Sequence, residues 1–187
     1  MNLQDLNDKS NPVIDMISNV WRDWLPNEAY EEYRKKSYYQ SVASKHPLAS
    51  DELSRKMEGT RILALNLQSC YFFNFYLFSS LGDELHQLEW LEKNLREMER
   101  NGEKAIILAH IPPGAHDCMD SFARRYQAIA DRFQHVIRTS LFGHVHAEYF
   151  NVARGVKTGK PINHDIISGS ATTFTNKNPS YRVITLD

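Results

Sequence analysis

Three of the eight histidines stand where a metal could use them. His110 closes the apolar run "KAIILAH" and opens "HIPPG", while His144 and His146 sit in "LFGHVHAEYF", at the end of a second apolar run. In an α/β sheet the carboxyl ends of the strands are where loops converge on ligands. Neutral imidazole is a common metal ligand, and each such ring is held by a partner on its other nitrogen. In extended chain, residues i and i+2 point to one side, so the spacing predicts that His144 and His146 face a common site. Gly143 lets backbone approach there, and Pro112 and Pro113 stiffen the turn that carries His110. Three imidazoles alone would suit one zinc with an open position. The alternative is three histidines at loop starts making ordinary hydrogen bonds.

A two-metal hydrolytic centre needs more: a bridging carboxylate and further donors, to hold ions about 3.5–4 Å apart. None of the aspartates, Asp117 and Asp165 included, ends a strand in an Asp-x-His or Gly-Asp pattern. His46, His86, His116, His135 and His164 lie in polar or helical contexts and read as surface or capping residues. Cys70 and Cys118 are the only cysteines. By composition they read as two free, buried thiols, the alternative being one disulfide and an oxidising compartment.

The elements that must position these groups follow from periodicity. Residues up to about 36 read as helical: Val13, Ile14, Ile17, Val20, Trp21 and Trp24 mark one face, and Asn27 is the expected N-cap of a second helix. "SYYQSVA" (37–43) and "TRILALNLQ" (60–68) read as strands, with a polar connection between them. From Asp83 to Gly102 runs an amphipathic helix with Leu85, Leu88, Leu91 and Leu95 inward and the glycine just past its end. "KAIILAH" (104–110) and "VIRTSLFGH" (136–144) read as strands buried on both faces, separated by a helix over 121–134. "AEYFNVAR", "HDIISGSATTF" and "YRVITLD" are expected to close the chain as β elements. The alternation of strand and helix predicts one α/β domain over 1–187, with a helical lead-in (1–36) and a mixed core (37–187).

Composition narrows the function. The 187 residues are 42% hydrophobic and carry a net charge of −1, with no basic block, so no nucleic acid polymer is expected as partner. No apolar run approaches the roughly 20 residues of a membrane span. The opening residues lack the apolar centre of a signal peptide, and no N-x-[ST] sequon is present.

"HIPPG", "FGHVH" and "ISGSATTFTNKNPSYRVITLD", together with "VWRDWLP", "FYLFSSLGDELHQLEWLEKNL" and "GEKAIILAHIPPG", resemble the carboxyl half of acid sphingomyelinase-like phosphodiesterases. These belong to the calcineurin-like metallophosphoesterase superfamily. The resemblance runs from about residue 11 to the end and implies an αββα fold, a β-sandwich flanked by helices, with two zinc ions at the sheet ends. It implies hydrolysis of phosphodiester bonds in sphingomyelin, a related phosphocholine ester or a nucleotide. His110 and His144 would ligate one metal and His146 the other; Val145 replaces the usual threonine between the last two.

The resemblance also implies a Cys70–Cys118 disulfide, reversing the reading from composition, and a secreted or lysosomal parent protein. The aromatic run 71–78 is expected to be core, with peripheral membrane contact as the alternative. The family's Asp-x-His, bridging Gly-Asp and Gly-Asn-His segments have no counterpart, so no catalytic residue is assigned. The chain by itself is therefore expected to hold a partial metal site and to be inactive.

Overall fold

The chain enters through two short helices, α1 (Pro12–Trp21) and α2 (Asn27–Lys36). This computed structural model describes residues 11–47, 49–79, 83–174 and 176–185, the side chain of Glu84 apart. The first ten residues of the expected helical lead-in therefore lie outside the described residues. The Asn11 side chain accepts from Val13 N and Pro12 takes the first turn, which starts α1. Its apolar face is largely uncovered: Val13, Val20 and Trp21 are 56%, 70% and 43% exposed. Asn27 is the first helical residue of α2 rather than its cap; Pro26 occupies the cap position and supplies no side-chain acceptor.

β1 (Tyr39–Val42) follows, then α3 (Asp51–Lys56) within the stretch expected to be a polar connection. The Ser50 hydroxyl accepts from Leu53 N at 3.2 Å, and Asp51 and Glu52 in the first turn complement the helix dipole. β2 (Thr60–Ala64) leads through the aromatic segment to α4 (Gln87–Asn101), and β3 (Lys104–Leu108) through a loop to α5 (Asp120–Arg132). β4 (Ile137–Phe142), β5 (Tyr149–Arg154) and β6 (Pro161–Ile167) complete the order.

Among the described residues the strands form one mixed sheet in the order β1-β2-β3-β4-β6-β5, flanked by helices, so the class is α/β as expected. β2, β3, β4 and β6 are mutually parallel, and only the outer strands run antiparallel. The second layer of the sandwich implied by the resemblance is not among the described residues. α4 buries Leu88, Leu91, Leu95 and Met98, and α5 buries Phe122 and Tyr126, against Leu63, Ala105, Ile107, Phe142 and Ile167. In β3 only the three central residues are buried; Leu108, next to the loop, is 40% exposed.

The closing strand expected at "YRVITLD" does not form over residues 181–185, and Leu186 and Asp187 lie outside the described residues. Tyr181 and Val183 are 87% and 82% exposed. Arg182 is tethered by Glu148, with Nε 2.7 Å from Oε1.

Candidate metal-binding site

β3 and β4 are adjacent and parallel, so their carboxyl ends emerge side by side. The ladder continues past both strands: Ala109 N donates to Leu141 O at 3.0 Å and Gly143 N to His110 O at 2.9 Å. This carries His110 and His144 to the same edge. Nδ1 of His144 lies 3.2 Å from Nε2 of His110, with the rings nearly perpendicular at 83°. The far nitrogen of His144, Nε2, is 2.5 Å from Oδ2 of Asp117. The Tyr71 ring meets His144 edge-on, its centroid 5.9 Å away.

The segment "GHVH" is not extended. His144 and His146 both take left-handed backbone, with φ of 71° and 57°, and Val145 N donates back to Gly143 O. The alternation that predicted a common face therefore does not apply. His146 turns to the ring of Phe174, 5.9 Å between centroids, and its Nδ1 is buried without a partner among the described residues. Gly143 is also less constrained than expected: an added Cβ would meet the His110 ring at 3.6 Å, an ordinary contact.

The loop behind the pair is tightly held. Gly114 takes φ of 105°, which favours glycine, and Ala115 N donates to Pro112 O at 2.9 Å. Cys118 is bonded to Cys70, as the resemblance implies and against the reading from composition. Met119 N donates to Cys70 O at 2.7 Å and Phe72 N to Asp117 O at 2.9 Å. Asp117 is consequently only 7% exposed. Strand-end motifs miss it, but its place between His116 and Cys118 in the loop after "HIPPG" was the available signal. The aromatic run divides: Leu77 is buried, but Phe73, Phe75 and Phe78 are 56%, 71% and 62% exposed, so the expected core place fails for these three.

Burial holds the pKa of His110 below the ordinary imidazole value, and the neighbouring His144 and His146 push the same way against Asp117. A neutral ring keeps a lone pair for a metal. Two nitrogens each 2.0–2.1 Å from one tetrahedral zinc lie about 3.3 Å apart, close to the separation found for His110 and His144. A carboxylate on the far nitrogen is the usual support of a metal-bound imidazole. Asp117 Oδ1 is buried and without a partner among the described residues. The donors thus fit part of a zinc site. Among the described residues no group of three His, Cys, Asp or Glu side chains converges into a complete one.

No protein-family model matches the chain. It is similar to Sphingomyelin phosphodiesterase 1 of Caenorhabditis elegans, 34% identical over 174 residues, 89% of this chain and 30% of that protein. Sphingomyelin phosphodiesterase of Homo sapiens is 32% identical over 182 residues, 97% of this chain and 26% of that protein. Acid sphingomyelinase-like phosphodiesterase 3b of Mus musculus is 26% identical over 173 residues, 89% of this chain and 35% of that protein. The chain therefore spans about a third or less of the length of these relatives.

Proposed function

The chain is homologous to a portion of the sphingomyelin phosphodiesterases, and on that premise we propose that it forms one wall of a metal-dependent phosphodiesterase centre. The observation that carries this is the nitrogen pair of His110 and His144, 3.2 Å apart at neighbouring strand ends with Asp117 behind. His110 and His144 would hold one zinc, and His146 would contribute to a second as the family resemblance implies. When bound, such ions supply positive charge to the phosphoryl oxygens and lower the pKa of an attacking water. Burial lowers the pKa of His110, which favours the neutral ring whose lone pair a metal needs. Asp117 and Tyr71 restrain the His144 ring from two sides. The substrate is sphingomyelin, a related phosphocholine ester or a nucleotide, and the disulfide supports an oxidising, secreted or lysosomal setting.

A second reading concerns these 187 residues alone. No third His, Cys, Asp or Glu joins the pair among the described residues, which favours weak metal binding without turnover. Competition with a chromophoric zinc chelator, run beside hydrolysis of a chromogenic phosphodiester, separates the two. The chain is expected to bind zinc, to lose at least about tenfold in affinity on His110→Ala or His144→Ala, and to show no turnover by itself. Wild-type chain that binds no zinc would overturn the metal reading. Zinc-dependent turnover by the isolated chain would overturn the inactive one.

A further inference from the structure

We propose that Asp117 is a positioning residue that sets which nitrogen of His144 faces the metal. An ionised carboxylate can only accept hydrogen bonds, so the contact with Asp117 Oδ2 requires the ring proton on Nε2. That leaves Nδ1 of His144 with its lone pair directed at Nε2 of His110. Without Asp117 either nitrogen can carry the proton, and the ring keeps only its contacts with Tyr71 and His110. The inference rests on the metal-binding reading but asks a separate question of the chain.

Three features make Asp117 suited to this. It is 7% exposed, so the contact is shielded from water. Its backbone is clamped by the Cys70–Cys118 bond on the next residue and by the hydrogen bond from Phe72 N. Tyr71, on the same aromatic segment, closes the other side of the His144 ring. The remaining buried oxygen, Oδ1, has no partner among the described residues, so no competing donor pulls the carboxylate aside. A second carboxylate–imidazole contact, Glu99 Oε1 with His135 Nε2 at 2.7 Å, is solvent-exposed and lies before the amino end of β4, away from the carboxyl ends that carry the site, and serves as a control.

The test uses the full chain, 15N-labelled, in two measurements. Long-range proton–nitrogen NMR spectra of the zinc-free protein report the His144 tautomer, and chelator competition reports zinc affinity. The proton is expected on Nε2 of His144 in the wild type and shared between nitrogens in Asp117→Ala, whose zinc affinity falls about 10–100-fold. Asp117→Asn, whose amide oxygen still accepts from Nε2–H, keeps the tautomer and recovers part of the affinity. Glu99→Gln changes neither. A wild-type proton on Nδ1 overturns the proposal, as does Asp117→Ala with unchanged tautomer and affinity. Should Asp117→Ala fail to fold, by circular dichroism, the wild-type and Asp117→Asn spectra decide. Absence of zinc binding in the wild type defeats the metal reading while the tautomer still decides the role of Asp117.

Discussion

Asp165 shows how one buried group sets a local cost. It lies on β6 opposite Ser140 of β4, and burial raises its pKa although Ser140 and His164 act to lower it. A carboxylate with a raised folded pKa binds its proton more tightly folded than unfolded. The penalty is absent below the unfolded value of 3.8, grows as pH rises from there to the folded value, and is constant above it. Asp165→Asn, which never ionises, is therefore expected to raise the melting temperature at pH 7 and to leave it unchanged near pH 3. Calorimetry at the two pH values checks this; equal shifts at both would refute the ionisation argument. At this scale the sequence located His110 and His144 but not Asp117. A histidine after a buried strand is a local pattern, whereas the use of Asp117 depends on a contact across 27 residues.

α4 was the most legible element and also the best anchored. Its leucines recur on one face, and the chain after it turns at Gly102, φ 71°, with Glu103 N returning to Met98 O at 2.9 Å. The helix begins at Gln87 rather than Asp83, because Leu85 and His86 take positive φ, 60° and 53°. Asp83 nevertheless caps it, its two oxygens accepting from Leu88 N and Glu89 N at 2.9 and 2.8 Å. Arg61 on β2 binds Glu97 of α4 at 2.9 Å and Gln40 of β1 at 3.0 Å, fixing the helix over the sheet edge. Leu91 is fully buried, and Leu91→Ala is expected to cost about 2–5 kcal/mol through lost burial and the cavity left behind. Urea unfolding followed by circular dichroism measures it. A cost below about 1 kcal/mol would mean that α4 does not carry the core. α3 was missed because six residues are too few for periodicity to show, leaving only the Ser50 cap and the acidic first turn of Asp51 and Glu52 as local signs.

For the whole molecule, the Cys70–Cys118 bond joins segments 48 residues apart and ties the aromatic loop to the loop behind the histidines. Closing a loop of that size stabilises by about 4 kcal/mol on the chain-entropy account. Cys70→Ser is expected to lower the urea midpoint by a corresponding amount. It should also weaken zinc binding, since Asp117 loses the anchor beside it. Unchanged zinc affinity in a folded Cys70→Ser chain would show that the bridge stabilises the molecule without positioning the site.

By itself the sequence determined the α/β class, the helix α4, the strands β2, β3 and β4 and the placement of two histidines at strand ends. Each of these rests on patterns within some twenty residues, where burial imposes a period. The tertiary structure alone decided the strand order, the left-handed turn that separates His146 from His144, and the contact of Asp117 with His144. It also left residues 181–185 outside any strand. These features arise when distant segments close on one another, and no local period records which partner the closure selects.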